Sequence, residues 1–269
     1  MSYRLFQGLW LLVILAAFSL FCAAQGGPPF LTDDPGTPGD GNWEINVALT
    51  TERRPEEWVF EAPILDINYG LGPKIQLKYQ VPYLVVGSND GPTRSGLGKS
   101  LAGVKWRFYE NQERGLEIST YPQFEFNNPT ASVDRGLVER GVRFLLPIEV
   151  TKKVGPVEIN PEAGYWFASG AGAAWATGVV VARQVSKRLE LDGELYATAN
   201  TNGSERSYTF DGGGRCRLGG PMVLLFMAGR SFRGPASGQP QLIGYLGVQF
   251  QFSTKRKKEN GTPLLFAPR

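Results

Sequence analysis

The residues of this chain that could do chemistry are charged side chains that recur at every second position. Within residues 189–195, Glu190, Asp192 and Glu194 alternate with three leucines and a glycine. Successive side chains of a β-strand point to opposite faces, so the acids share one face and the leucines the other. Such a polar face can pair opposite charges, attract ions or line a wet cavity.

Fifteen charged residues of both signs fall on polar faces of this kind. Enclosed together, they could pair across an interior, set up a transverse field in an open passage, or simply be packed shut. We predict that they line a lumen: Glu44, Asp66, Lys78, Lys105, Arg107, Glu117, Glu125, Arg143, Glu158, Glu162, Glu190, Glu194, Asp211, Arg215 and Arg230.

Covalent chemistry has little support in the sequence. The chain has no histidine, which removes Ser-His and Cys-His nucleophile pairs and the commonest transition-metal ligand. Of the two cysteines, Cys22 falls in the leader described below, so Cys216 is left without an intramolecular partner. The string at 96–100 approaches a phosphate-binding loop, but Thr93 stands where its first glycine is required and no helix pattern follows. We therefore expect no enzyme, no cofactor and no metal.

The elements that must position the charges are short strands. The alternation predicts about twelve, near 43–51, 59–69, 74–86, 100–109, 115–126, 140–151, 156–168, 175–185, 189–198, 207–218, 222–231 and 241–252. Two of them, 175–185 and 222–231, have small or apolar residues on both faces.

The connections between these strands alternate between short and long. The short ones are 70–73, 110–114, 152–155, 186–188 and 219–221, and the long ones are 52–58, 87–99, 127–139, 169–174, 199–206 and 232–240. Outer-membrane barrels show this asymmetry, with tight periplasmic turns and longer outward loops. The sequence therefore predicts an all-β, antiparallel transmembrane β-barrel over 43–252, with both termini on the periplasmic side.

The two ends of the chain have other characters. Residues 1–24 resemble a secretory signal peptide, with Arg4 before a short apolar run and small residues that predict cleavage near Ala24. Lipidation at Cys22 is the alternative, which bulky Phe21 disfavours. Residues 253–269 form a basic tail, most simply a solvated terminus, with a contact to periplasmic partners or anionic lipid as the alternative. The net charge of +3 is too small to indicate nucleic-acid binding.

Aromatic residues gather near the predicted strand ends. Rings at those positions could form two interfacial girdles, although β-strands are enriched in aromatics in any case. The residues are Trp43, Tyr69, Tyr83, Trp106, Tyr109, Tyr165, Trp166, Trp175, Tyr208, Phe232 and Tyr245.

Residues 25–42 are rich in proline and glycine and contain Thr32, Asp33 and Asp34. The two aspartates could cap a turn, bind a cation or touch the barrel wall, and turn chemistry is the simplest interpretation. Because the segment has a motif-like sequence where a plain tail would suffice, we predict that it folds into the periplasmic mouth and narrows it.

The stretch from Pro28 to Pro38, PPFLTDDPGTP, leads to Trp43-Glu44-Ile45-Asn46 and resembles the opening of the MetA-pathway of phenol degradation family. The stretches at 65–70, 81–83 and 228–231 are similar to the same family, so the resemblance covers most of residues 28–252. It implies a bacterial outer-membrane barrel of a transport class. It does not imply phenol as the substrate.

The function we predict is passive passage of small solutes, hydrophobic or aromatic ones among them, through the outer membrane of a Gram-negative-type bacterium. The expected partners are outer-membrane lipid, the barrel-assembly machinery and an unidentified solute, with no nucleic acid. Three alternatives stay open: a barrel hydrolase acting on lipid or lipopolysaccharide, a secreted soluble β-barrel or sandwich that holds a ligand, and a structural or adhesive barrel. The soluble alternative would bury the apolar face and expose the polar one.

Overall fold

The computed structural model describes residues 27–168, 172–203, 205–232 and 238–254. The predicted leader and the tail from residue 255 lie outside these ranges. Fourteen β-strands are found: β1 Asn42–Arg53, β2 Glu57–Leu71, β3 Ile75–Ser88, β4 Gly91–Leu97, β5 Ser100–Asn111, β6 Leu116–Thr120, β7 Gln123–Phe126, β8 Arg143–Val154, β9 Val157–Ala168, β10 Ala174–Gln184, β11 Leu189–Asn200, β12 Arg206–Gly219, β13 Met222–Ser231 and β14 Leu242–Ser253.

The strands close into an antiparallel barrel. Each pairs with its neighbours along the chain, and β1 pairs with β14, which sets Trp43 opposite Phe252 and Arg53 opposite Leu242. Closure pairs both edges of the wall except along β4, which has a strand partner only in β3. A paired wall is what a hydrocarbon environment requires of a β-structure. None of the described residues forms a helix long and apolar enough to cross a membrane.

Two barrel strands are interrupted, so the fourteen segments build twelve barrel strands. β4 and β5 both pair with β3, on either side of a break at Gly98. A Cβ atom added at Gly98 would lie 2.7 Å from the Pro82 ring, which is too close. A glycine, which has no side chain, is therefore needed where the chain bends. β6 and β7 both pair with β5 and are separated by Tyr121 and Pro122. Proline lacks the N–H that a ladder needs, so the pairing stops at that point.

The predicted strands are recovered with small shifts at their ends, and two predicted long loops are wrong in part. Of residues 52–58, only 54–56 lie between β1 and β2, so this connection is short. Residues 87–99 were expected to be a long loop, but Gly91–Leu97 form β4, which extends the wall beside Tyr83–Ser88 of β3. Glycine, proline and serine dominate this strand, so its sequence has no apolar alternation by which it could be recognised.

The apolar face of the strands points outward and the polar face inward, as predicted. On β1, Asn46 is fully buried while Val47 is 42% exposed, and on β2 Asp66 is buried while Leu65 is exposed. Leu195 of β11, Phe210 of β12 and Leu246 of β14 are likewise exposed. An outer surface this apolar is stable only against hydrocarbon, so the fold is that of a bacterial outer-membrane β-barrel.

The two strands that lack alternation have an apolar inner face for a specific reason. Val180 and Ala182 of β10 and Met227 of β13 pack against Phe30, which belongs to the chain before the first strand. The interior at this place is therefore dry and requires apolar residues on both sides of the sheet.

Most of the aromatic residues predicted at strand ends lie on the outer surface. Trp43 contacts Tyr69 and Phe252 near the short turns, with ring centroids 4.7 and 6.5 Å apart. Near the long loops, Tyr165 contacts Trp175 at 4.8 Å.

Two of these predictions are wrong. Trp166 is opposite the inward-facing Leu145, and Tyr245 borders the core around Phe30, so both rings point into the lumen. Each sits among apolar neighbours in its strand, where the alternation is hard to read.

The long loop between β7 and β8, residues 127–142, folds back over the inner face of β4. The Nη1 atom of Arg94 donates to the carbonyl oxygen of Gly136 at 2.8 Å. A side chain at Gly96 would lie 3.1 Å from the Leu137 methyl group, so the loop rests directly on the strand. This loop therefore narrows the long-loop end of the barrel.

Candidate functional site

The structure places fourteen of the fifteen charged residues predicted for the lumen on the inner face of the wall. Many pair with a residue on a neighbouring strand. Lys78 Nζ lies 3.3 Å from Asp66 Oδ2, and Arg107 Nη1 lies 2.9 Å from Glu117 Oε2. The charged side chains thus pair mainly with neighbours along the wall and less with residues across the lumen.

Arg230 is not in the lumen. Its partners on β12 show which face of β13 it occupies. Gly229 is opposite the buried Asp211, whereas Arg230 is opposite the exposed Phe210. Arg230 therefore lies on the outer face, near the long-loop end of β13. A long arginine at such a rim can extend its guanidinium toward the interfacial region.

Several polar residues of the inner wall were missed because only charged ones were predicted. Asn46 Nδ2 and Asn68 Nδ2 donate to the two oxygens of Asp66 at 3.0 and 3.2 Å. Gln76 Nε2 donates to Asn68 Oδ1 at 2.8 Å. The same alternation that gave Glu44 and Asp66 could have found these amides.

Charge is unevenly distributed around the inner wall. The strands β9, β11 and β12 carry six acids: Glu158, Glu162, Glu190, Asp192, Glu194 and Asp211. Lys78, Lys105 and Arg107 lie on β3 and β5 on the other side. Acidic residues therefore predominate on the inner wall at β9, β11 and β12.

The residues before β1 run inside the barrel and not only at its mouth. Thr32 is fully buried, and its backbone N–H donates to Glu194 Oε1 at 2.6 Å. Glu194 lies near the middle of β11, so the segment reaches the middle of the wall. This is deeper than the predicted position. We call residues 27–36 the inserted segment.

Carboxylates of the acidic wall hold the backbone of the inserted segment. Both oxygens of Glu194 accept, from the N–H groups of Leu31 and Thr32. Glu162 Oε2 accepts from the N–H of Asp33 at 2.7 Å. Hydrogen bonds between a carboxylate and an N–H group are stronger than neutral ones. The acids are thus used to bind main chain.

Lys105 holds the segment from the other side. Its Nζ is 2.7 Å from Asp33 Oδ1 and also donates to the carbonyl oxygen of Asp34. Glu149 Oε2 is 3.8 Å away, and the ring centroid of Tyr121 is 4.7 Å away. With only 2% of its side chain exposed, Lys105 is a buried cation surrounded by acceptors.

Two further contacts fix the path of the segment. Arg215 Nη2 donates to the carbonyl oxygen of Pro28 at 2.9 Å. Thr32 lies against Gly178 of β10, where an added Cβ atom would be 1.9 Å from Thr32 Oγ1. Glycine is therefore needed at this place in the wall so that the two backbones can approach closely.

Residues 37–41 lie at the short-turn mouth. Thr37 Oγ1 donates to the carbonyl oxygen of Pro73 at 3.2 Å, and Asp40 Oδ1 accepts from the N–H of Gly72 at 3.1 Å. These bonds anchor the chain to the β2–β3 turn before it enters β1.

A cavity of about 400 Å³ lies above the inserted segment, toward the long loops. Its floor is Pro28, Pro29 and Phe30. Its walls combine apolar residues with charged ones, both near the long loops, as at Glu52 and Glu61, and beside the inserted segment, as at Glu162. The apolar wall residues include Ile64, Leu101, Leu145, Trp166, Met227 and Tyr245. We call this cavity the vestibule.

Within the described ranges no group of three or more Asp, Glu, Cys or His side chains could hold a metal ion. Cys216 is a free, partly buried thiol. The chemistry available is polar contact, charge and shape.

No model of a known protein family matches this chain. No curated protein sequence matches it either.

Solved structures of the same fold do match. The COG4313 outer membrane channel from Pseudomonas putida F1 has a TM-score of 0.68 at 13% identity, covering 85% of this chain and 100% of that one. The KdgM porin gives 0.56 at 10% identity, and the NanC porin 0.55 at 6%; each comparison covers 77% of this chain, with 99% and 98% of the other. At these identities the likeness is one of fold.

Proposed function

We propose that this chain is a passive outer-membrane channel for small solutes, hydrophobic or aromatic ones among them. The observation that carries the proposal is the vestibule: a closed barrel with an apolar outer surface encloses about 400 Å³ that side chains do not fill. Eight-stranded barrels are generally filled by their side chains, whereas sixteen or more strands leave a wide aqueous channel. Twelve strands allow a narrow passage.

The lining of the vestibule supports the proposed class of solute, which includes small hydrophobic and aromatic molecules. Trp166, Tyr245 and Phe30 supply aromatic surface, and Leu101 and Ile243 supply aliphatic surface. Apolar pockets with a few polar groups favour small apolar or aromatic molecules. The resemblance to the MetA-pathway of phenol degradation family supports a transport function, and the fold shared with outer-membrane channels and porins supports passage itself.

Reconstitution tests the proposal. The folded protein in planar bilayers should give discrete ion currents. Proteoliposomes should admit small aromatic alcohols faster than sugars of similar mass, because the apolar lining favours the former. A folded protein that never conducts would refute the proposal, and hydrolysis of lipid or lipopolysaccharide by the same preparation would favour the enzyme alternative.

A further inference from the structure

Three cavities follow one another from the lumen to the short-turn end of the barrel, where the third is bordered by β1 and β14. The vestibule shares Gly27, Pro28, Asp33 and Lys78 with a much smaller cavity of about 30 Å³ beneath it. That small cavity shares Thr37, Pro38 and Glu44 with a third cavity of about 320 Å³ at the short-turn end. Cavities with shared walls are adjacent, so the three connect the vestibule to the short-turn end of the barrel.

We infer that solute and ions pass between the inserted segment and the β1–β3 wall, and that Glu44 and Lys78 form the selectivity-determining constriction of this path. The inference rests on the proposed channel function. It assigns the passage to one side of the inserted segment, away from the acidic wall of β9, β11 and β12.

The acidic wall is closed to passage by its contacts. Glu162 and Glu194 bind the backbone of the inserted segment directly, and Thr32 lies against Gly178. Phe30 packs on Val180 of the same side. On the β1–β3 side, by contrast, the segment and the wall are separated by the small cavity.

The small cavity has the least volume of the three and the most polar lining. A volume of about 30 Å³ accommodates about two water molecules. Its walls carry Glu44 and Lys78 from the barrel and Asp33 and Asp34 from the segment. A solute larger than water must therefore displace the segment to pass, and it meets both charges when it does.

The two wall charges are held differently. Lys78 is paired with Asp66, which Asn46 and Asn68 also fix by hydrogen bonds. The side chain of Glu44 forms no hydrogen bond or ion pair with any other residue in the part of the chain that the structure describes. Its charge is therefore available to ions in the constriction, and substitution by glutamine leaves no partner unsatisfied.

Bilayer recordings of the full-length folded protein under a KCl gradient test this path. Glu44→Gln should lower the ratio of cation to anion permeability by about twofold or more, because a fixed negative charge at a constriction attracts cations. Lys78→Gln should raise the ratio by a similar factor, because it removes a fixed cation and leaves Asp66 unpaired.

Asp192→Asn is the matched control. It makes the same charge change on the inner wall of β11, at a buried side chain that borders none of the three cavities. Its effect on selectivity should be clearly smaller than that of Glu44→Gln. Two results would overturn the proposed path while leaving the channel function intact. One is an equal change of the permeability ratio in Asp192→Asn and Glu44→Gln, and the other is an unchanged ratio in Glu44→Gln or in Lys78→Gln. Absence of current from the folded wild type would instead overturn the channel and the path together.

Discussion

At the scale of single residues, the buried Lys105 shows how the lumen uses charge. A lone ammonium in a dry interior is very unfavourable, so it must be surrounded by acceptors. Lys105 has the carboxylates of Asp33 and Glu149 and the carbonyl oxygen of Asp34. Two of these three belong to the inserted segment, so the cation links the wall to the segment.

Replacing Lys105 with methionine should release the inserted segment. The change leaves two buried carboxylates without their cation, a penalty of about 3–5 kcal/mol, which the segment can relieve by leaving the lumen. We expect faster cleavage by a nonspecific protease between residues 27 and 41, read by mass spectrometry, and a larger single-channel conductance.

Lys99→Met provides the control for this variant. Lys99 pairs with Glu125 at 3.2 Å on the inner wall, without contact to the inserted segment. It should keep the protease resistance of the wild type. If Lys105→Met is equally resistant and conducts equally, Lys105 does not hold the segment.

Residue positions could be predicted well where polarity alternates and poorly where it does not. Glu44, Asp66 and Glu194 lie in strands with a clear apolar face, and all point inward. Arg230 lies in 222–231, where residues on both faces are apolar or small, so the phase of the strand could not be derived from polarity alone. Its outward position follows from its pairing with Phe210.

At the scale of elements, each barrel strand contacts hydrocarbon with one face and the lumen with the other, so the two faces need residues of different polarity. β11 illustrates the division, with Leu191 and Leu195 exposed outside and Glu190 and Glu194 buried inside. A charge on the outer face is penalised according to its depth in the bilayer.

A pair of arginine substitutions tests this division. Leu195→Arg, midway along β11, should lower the free energy of unfolding in lipid vesicles by about 2–4 kcal/mol, whereas Leu242→Arg at the long-loop end of β14 should lower it by about 0–1 kcal/mol. Denaturant titration of the folded protein in vesicles gives both values. Equal losses at the two positions would contradict the assigned orientation of the barrel in the membrane.

Strand positions were accessible from sequence because alternation and turn residues are local signals. The interruptions within two of the barrel strands were not accessible from sequence. β4 has too few apolar residues to be recognised as a strand, and its place in the wall depends on pairing with Tyr83–Ser88 of β3. Pairing of this kind depends on the partner strand and is not encoded in β4 itself.

At the scale of the whole molecule, the inserted segment controls how much of the barrel is open. It fills the middle of the lumen and divides the interior into the vestibule and the cavities below it. A twelve-stranded barrel without it would have a continuous interior.

Deleting residues 27–36 while retaining 37–42 should therefore raise the single-channel conductance by about twofold or more. The retained residues keep the anchors at Pro73 and Gly72, so barrel closure is preserved. Replacing 27–36 with a glycine-serine stretch of equal length should have a similar effect, because it removes Phe30, Asp33 and the contacts they make. Currents unchanged in both variants would show that the segment does not limit passage.

The sequence by itself determined the barrel. The two-residue alternation, the alternation of short and long connections and the absence of histidine are local properties of the sequence. They predict strand number, the direction of each face and a lumen without histidine. The same alternation predicts charged residues in the interior. A strand that turns its apolar face to lipid has to turn its polar face inward.

Only the tertiary structure decided what fills the barrel. Phe30 packs on Val180, Ala182 and Met227, which lie about 150 to 200 residues further along the chain. Those contacts explain why β10 and β13 lack a polar inner face. From the sequence alone the two strands were merely poor examples of the pattern. Burial among residues so far apart depends on closure of the whole wall, which no local pattern contains.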